Sequence, residues 1–187
     1  MQEFTVDTRV LRALLHLSGV KDMRRYLNGV HVVFTPDQTV YTATNGTVLG
    51  RVTERAANPG SAVLIIPREV IKALRPTVKD LATAALHIDE GRKARIVQHL
   101  PAGTVDINFT PIDGQYPDCD RVIPARTSGE AGNYDAELLA LFTASNKELG
   151  AKYPGQFKLH QNGADGAALV SSLVRSTFVG VIMPMRV

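Results

Sequence analysis

One order of elements recurs along this chain, and it limits the available folds more than any single motif does. Residues 3–8, EFTVDT, alternate in polarity and predict a strand. Residues 9–19, RVLRALLHLSG, follow as a helix, with Val10, Leu11, Leu14, Leu15 and Leu17 at helical spacing and Gly19 as the stop. YLNGVHVVFTP, TVYTATN and TVLGRVTE (26–36, 39–45 and 47–54) are β-branched and aromatic runs separated by turn residues, hence three more strands. The turn-rich NPGS at 58–61 closes the unit.

The order then begins again. AVLIIP (62–67) predicts a strand and REVIKAL (68–74) a helix ended by Pro76, because proline disfavours helix in the residue before it. AALHIDEG, ARIVQHL and TVDINFTPI (84–91, 94–100 and 104–112) are three strands. After the linker TSGEAG (127–132), AELLALFTASNKELG (136–150) predicts a helix with Leu138, Leu139, Leu141 and Phe142 on its apolar face. QFKLHQN, AALVSSLV and FVGVIMPMRV close a third unit. A period of about 60 residues is longer than that of the common solenoids. The expectation is an α+β fold of repeated β-α-β-β-β half-units.

The final run carries Met183 and Met185 on either side of Pro184. Proline lacks the N–H a ladder needs, so Pro184 belongs at an edge or a strand end. The two thioethers fit either core filling or an adaptable apolar groove. The 167–174 run is uncharged and β-prone, and at an open edge it would need a partner chain to cover it.

Chemistry is sparse. There is no Walker A run and no GxGxxG. The histidines, at 16, 31, 87, 99 and 160, form no ligand pair. The single cysteine, Cys119, excludes an intramolecular disulfide and lies between Asp118 and Asp120, which should raise its pKa. Asp113, Asp118 and Asp120 fall in a run of turn formers and suit a solvated turn better than a metal site. The expectation is therefore no enzyme, no metal and no cofactor.

The N-terminus lacks a signal-peptide pattern and the last apolar run is too short to cross a membrane, so a cytoplasmic location is expected. The net charge of +3 permits an anionic partner without requiring one. Arg68, Lys72, Arg75 and Lys79 recur at spacings of four, three and four, which on one helix would form a basic stripe able to follow a phosphate backbone.

Four stretches carry a family resemblance. RRYLNGVHVVF with VYTATNGTVLG (24–34 and 40–50), VLIIPREVIKAL (63–74), IDGQYPDCDRVIP (112–124) and VGVIMPMRV (179–187) resemble segments of the bacterial DNA polymerase III β subunit, the sliding clamp. The resemblance implies a DNA-clamp fold with helices on one face of antiparallel sheets. Residues 1–126 would be one complete domain, like the clamp's middle one, and 127–187 the second half of its last. The clamp's first domain and the first half of its third have no counterpart here.

The resemblance also implies a groove for clamp-binding peptides of DNA polymerase, clamp loader or repair proteins. It would use Leu27, Thr44, Gly46, Thr47, Leu49, Pro117, Arg121, Val122, Val181, Met183, Pro184, Met185 and Arg186. Asn45 and Thr47 depart from the family's acidic residue and histidine. Duplex DNA, bound non-specifically, would meet Lys21, Arg24, Arg25, Tyr26, Arg68 and Lys72. Two functions follow as expectations: a replication processivity factor closing into a multi-chain ring, a homo-oligomer, or a non-ring module that recruits or sequesters clamp-binding proteins.

Overall fold

The local signals place the helices. In the computed structural model, which describes residues 2–75, 82–89 and 93–185, β1 (Gln2–Asp7) runs directly into α1 (Thr8–Leu15). The turn is fixed by Asp7, whose carboxylate accepts from the Arg9 and Val10 amides at 2.8 and 3.1 Å, satisfying two of the four donors a helix start leaves open. Arg175 reaches across the chain to Asp7 and Glu54 and holds this cap in place. Val10, Leu11, Ala13 and Leu14 are fully buried, which makes α1 the most enclosed of the helices.

The strands β2 (Gly29–Thr35), β3 (Gln38–Thr44) and β4 (Val48–Arg55) form an antiparallel meander. The second unit follows with β5 (Ala62–Pro67), α2 (Arg68–Ala73), β6 (Thr83–Ile88), β7 (Ala94–Leu100) and β8 (Gly103–Phe109). The units exchange their first strands. β1 joins the sheet β1-β6-β7-β8, while β5 pairs with β2 in the other sheet. The exchange ties the two units into one fold through backbone hydrogen bonds as well as packing.

The third unit, α3 (Ala136–Glu148), β9 (Phe157–His160), β10 (Ala168–Ser172) and β11 (Phe178–Ile182), extends that second sheet to β5-β2-β3-β4-β11-β10-β9. At the seam Gly50 on β4 faces Gly180 on β11. A Cβ at Gly50 would sit 2.3 Å from Leu17 Cδ1, and one at Gly180 would sit 2.6 Å from Phe142 Cε1. The paired glycines therefore let the α1 region and α3 press onto the sheet where the units join. Phe142 completes the contact against Phe157 and Phe178, with ring centroids at 6.2 and 6.5 Å.

Two expectations need correction. The basic stripe does not exist as a helical feature: α2 ends at Ala73, Leu74 is extended, and Lys79 lies outside the described residues, as does Pro76. The buried Gln98 side chain takes the chain over there, accepting from the Arg75 amide at 2.9 Å and donating to the Arg75 carbonyl at 3.0 Å. Nor is 167–174 an edge needing a partner chain, since β10 lies between β9 and β11 of its own chain. Pro184 falls two residues beyond the end of β11, clear of the ladder.

Candidate functional site

The β4–β11 pairing sets the C-terminal strand beside the β3–β4 turn. Leu49 lies opposite Val181, and the Met183 amide donates to the Thr47 carbonyl at 3.1 Å. The turn itself is held by its own side chains. Asn45 Oδ1 accepts from the Thr47 and Val48 amides, both at 2.9 Å, and Thr44 Oγ1 donates to the Val48 carbonyl at 2.6 Å. An aspartate would accept the same two bonds, so the Asn45 departure keeps the turn while removing a charge. Gly46 takes a left-handed φ of 98°, and a Cβ there would lie 3.0 Å from Arg24 Nη2.

A second wall comes from the loop after α1. The Gly19 amide donates to the Leu27 carbonyl at 2.8 Å, and Asp22 and Asn28 exchange two hydrogen bonds, each 2.8 Å. Arg24 closes the loop on Asp22, and its side-chain and backbone hydrogen bonds hold that carboxyl down at about 2. Arg24 also donates to the Asn45 carbonyl at 3.2 Å. The third wall is the 116–122 segment, pinned to β4 by the Arg51–Asp120 ion pair.

Together these walls form an open cleft of about 190 Å³. Leu27, Thr44, Gly46, Thr47, Leu49, Pro117, Val122, Val181 and Met183 line it, all expected from the sequence. Leu49, Cys119 and Val181 form its buried floor, while Val122 and Met183 are 46% and 37% exposed. A mostly apolar concavity with a few polar groups at its rim is the form that small-ligand and peptide sites take.

Three expected residues fall elsewhere. Arg121 points outward, 84% exposed, and pairs with Asp118. Pro184 and Met185 continue past the cleft, where the Met185 amide donates to the Asn133 carbonyl at 2.7 Å. Arg186 lies outside the described residues.

The lining also includes Arg24, Tyr26, Val48, Asp118 and Cys119. Arg24 and Tyr26 were expected at DNA instead. Nothing in the sequence marks Cys119 as a floor residue except the apolar positions around it. Its thiol pKa is raised first by burial, with Asp120 and Asp118 adding to the effect and Arg51 opposing it. Behind the floor, Tyr116 stacks on His31 at 4.5 Å between centroids, nearly parallel. Burial, aided by Arg51, lowers the His31 pKa to about 4, so the stack holds a neutral imidazole.

The residues expected at DNA divide in two. Lys21, Arg24 and Arg25 are exposed on the loop after α1, and Lys72 is exposed and paired with Glu69. Arg68 is turned inward: its Nη1 donates to the Leu15 carbonyl, Ser18 Oγ and the Gly19 carbonyl at 2.7, 2.6 and 3.3 Å. Leu15 ends α1 and Ser18 and Gly19 follow it, so Arg68 ties the last turn of the helix to the loop after it. Arg12 does likewise, gripping Glu148 on α3 with two 3.0 Å bonds and the Leu74 carbonyl with one of 2.9 Å.

Among the described residues no cluster of three or more His, Cys, Asp or Glu could hold a metal ion. Among the same residues no helix is long and apolar enough to cross a membrane.

No protein-family model matches the sequence, and no curated protein sequence does. Solved structures do. The whole chain superposes on a DNA polymerase sliding clamp from Pseudomonas aeruginosa at 17% identity and a TM-score of 0.72, covering 66% of that protein. It superposes equally completely on the β subunit from Thermotoga maritima at 15% identity and TM-score 0.72, and on that from Streptococcus pyogenes at 12% and 0.74. In each case this chain spans about two thirds of the clamp's length, 66% in both. By architecture this chain has the fold of the DNA polymerase III β sliding clamp.

Proposed function

We propose that the protein is a sliding-clamp-like accessory factor of DNA replication that captures short clamp-binding peptides in the cleft between the β3–β4 turn and the C-terminal strand. One observation carries this reading. Nine of the thirteen residues expected at a peptide groove, from four separate stretches of sequence, line a single cleft. Their apolar side chains would supply the affinity, and Arg24 and the turn backbone would orient the peptide. The proposed role is non-catalytic: polymerases, clamp loader or repair proteins bring the chemistry.

Duplex DNA is the second proposed partner, held without sequence preference by the charged loop of Lys21, Arg24 and Arg25. In a multi-chain ring such contacts suffice even when weak, because the duplex is trapped topologically.

A different observation favours the non-ring module. Arg12 and Arg68 are engaged within the protein, which leaves the helices less basic than their composition implies. A module without a ring would keep the cleft and bind DNA poorly.

Griselimycin provides a direct probe, since a P. aeruginosa clamp of this fold was crystallised with it. Saturable binding of griselimycin and of a labelled polymerase peptide, each competing with the other, is the expected result. Absence of both refutes the groove.

A further inference from the structure

Asparagine followed by glycine occurs three times, at 28–29, 45–46 and 162–163. Glycine has no Cβ to shield its amide nitrogen, which can then approach the side-chain carbonyl carbon of the asparagine before it. The fold treats the three pairs differently. Asn28 is held at both ends of its amide, with Oδ1 accepting from the Asp22 amide and Nδ2 donating to the Asp22 carbonyl, each at 2.8 Å. Gly29 behind it is buried. Asn162 is held in the same way, with Oδ1 accepting from the Ser128 amide at 2.9 Å and Nδ2 donating to the Ala167 carbonyl at 3.1 Å. Its neighbour's nitrogen is also engaged, since the Gly163 amide donates to the Glu130 carbonyl at 2.9 Å.

Asn45 is arranged for reaction instead. Its Nδ2, the group that would leave, has no hydrogen-bond partner among the described residues. Gly46 and Thr47 are exposed, so water reaches the turn. The Gly46 amide donates to Thr44 Oγ1 at 3.0 Å, an oxygen whose own proton goes to the Val48 carbonyl. On the other side Asn45 Oδ1 accepts from two amides, those of Thr47 and Val48, both at 2.9 Å. These donors polarise the side-chain carbonyl and are aimed at the oxygen on which charge develops when its carbon is attacked.

We propose that Asn45 is a deamidation site of the folded protein, and that its conversion turns a neutral position on the cleft rim acidic. The Gly46 amide gives its proton to hydroxide, and its nitrogen bonds to Asn45 Cγ. The intermediate carries its negative charge on Oδ1, between the Thr47 and Val48 amides. As it collapses the Cγ–Nδ2 bond breaks, and Nδ2 takes up a proton and leaves as ammonia. Water then opens the cyclic imide. Attack at Cγ gives aspartate, and attack at the main-chain carbonyl carbon gives isoaspartate. Aspartate keeps both turn bonds. Isoaspartate adds a carbon to the main chain and shifts Thr47, whose carbonyl accepts from the Met183 amide. Either product sets a negative charge beside Arg24, which donates to the Asn45 carbonyl at 3.2 Å. An effect on peptide choice rests on the proposed function of the cleft, whereas the conversion itself does not.

The test incubates the full chain at mildly alkaline pH, folded and in urea, and follows each asparagine by peptide mapping with mass spectrometry. In the folded protein Asn45 should convert at least as fast as in urea, while Asn28 and Asn162 convert only in urea. Ion exchange of the intact folded protein should show an acidic form growing at the same rate, and Asn45→Gln should lose it. Asn45 that stays intact when folded, over the interval in which it converts in urea, overturns the proposal. So does equal conversion of all three sites in the folded protein, or an acidic form that persists in Asn45→Gln. Asn45→Asp, which keeps both turn bonds, then reads the rim. It should bind a labelled polymerase peptide carrying added lysines several-fold more tightly than the natural protein does. Equal affinity overturns the effect on the rim. Binding by neither protein refutes the groove and leaves the conversion to be judged by the mapping alone.

Discussion

The helical face and the C-terminal cleft treat their side chains in opposite ways. On the helices, the arginines that composition would place in solvent are drawn inward. Arg68 caps the end of α1, and Arg12 bolts α1 to α3 and to the end of α2. In the cleft, side chains that would ordinarily be drawn inward are left in reach of solvent: Val122 and Met183 stand open above a floor of Leu49, Cys119 and Val181. A guanidinium with three internal acceptors has little left to offer a ligand. An apolar surface left half-covered by its own chain has burial still to gain, at roughly 25 cal/mol per Å² removed from water. Arg12 and Arg68 therefore serve the architecture, and the apolar residues of the cleft suit the binding role proposed for them.

The largest effect expected from this contrast is at Met183. Met183→Asp sets a charge where a bound peptide would desolvate it. Peptide affinity should fall at least about 100-fold, equivalent to about 2.7 kcal/mol. The melting temperature should barely move, because Met183 is exposed in the free protein. Titration of a labelled peptide alongside thermal melts checks both. Unchanged affinity would remove the cleft from its proposed role.

Arg68→Ala should behave in the reverse manner. It strips a charged donor from three acceptors near the end of α1 and should cost about 2 kcal/mol of stability by urea denaturation. Lys72→Ala, one turn along on α2 but outward, should cost almost nothing, since exposed pairs such as Lys72–Glu69 are worth little. Equal stability loss in the two variants would break the distinction between inward and outward cations.

Much of the fold was legible from local signals, and the exceptions share a cause. The strand and helix order followed from periodicity and turn residues. The nine cleft residues followed from the family resemblance and not from spacing. What the sequence hid were long-range choices. The exchange of β1 and β5 between sheets leaves both strands looking the same from inside the chain. The backbone just past α2, at Arg75, is bonded by Gln98, some two dozen positions away. The fate of Arg68 depends on carbonyls at Leu15 and Gly19. An arginine's partner is chosen by tertiary structure, so a helical spacing of four, three and four could not reveal that the first of those cations turns inward.

The stack beneath the cleft gives a smaller, pH-dependent effect. His31 takes a proton at about 4 in the folded protein and near 6.5 when unfolded. Its contribution to stability is therefore complete above about pH 6.5 and is lost as the pH falls toward 4, because the unfolded chain binds the proton first. Melts across this range should decline for the natural protein and decline less steeply for His31→Phe, which retains the flat stack on Tyr116. Burial lowers His16 as well, partly offset by Glu148, so some slope should remain.

The smallest effect belongs to the loop where the two regions meet. Arg25 is exposed and outside the cleft lining, whereas Arg24 lines the cleft and is bonded to Asp22 and the Asn45 carbonyl. Arg25→Glu should weaken association with a labelled duplex several-fold at low salt and leave peptide affinity unchanged. Raising the salt should erase even that difference, because the contact is to phosphate and depends on counterion release. Arg24→Glu should reduce both affinities, since it alters the rim of the cleft and frees Asp22 to add a second negative charge to the loop. If Arg25→Glu left duplex binding untouched while Arg24→Glu lowered peptide binding, the loop would belong wholly to the cleft. Its charges would then be orienting groups for a peptide, and the helical face would have no part in holding DNA.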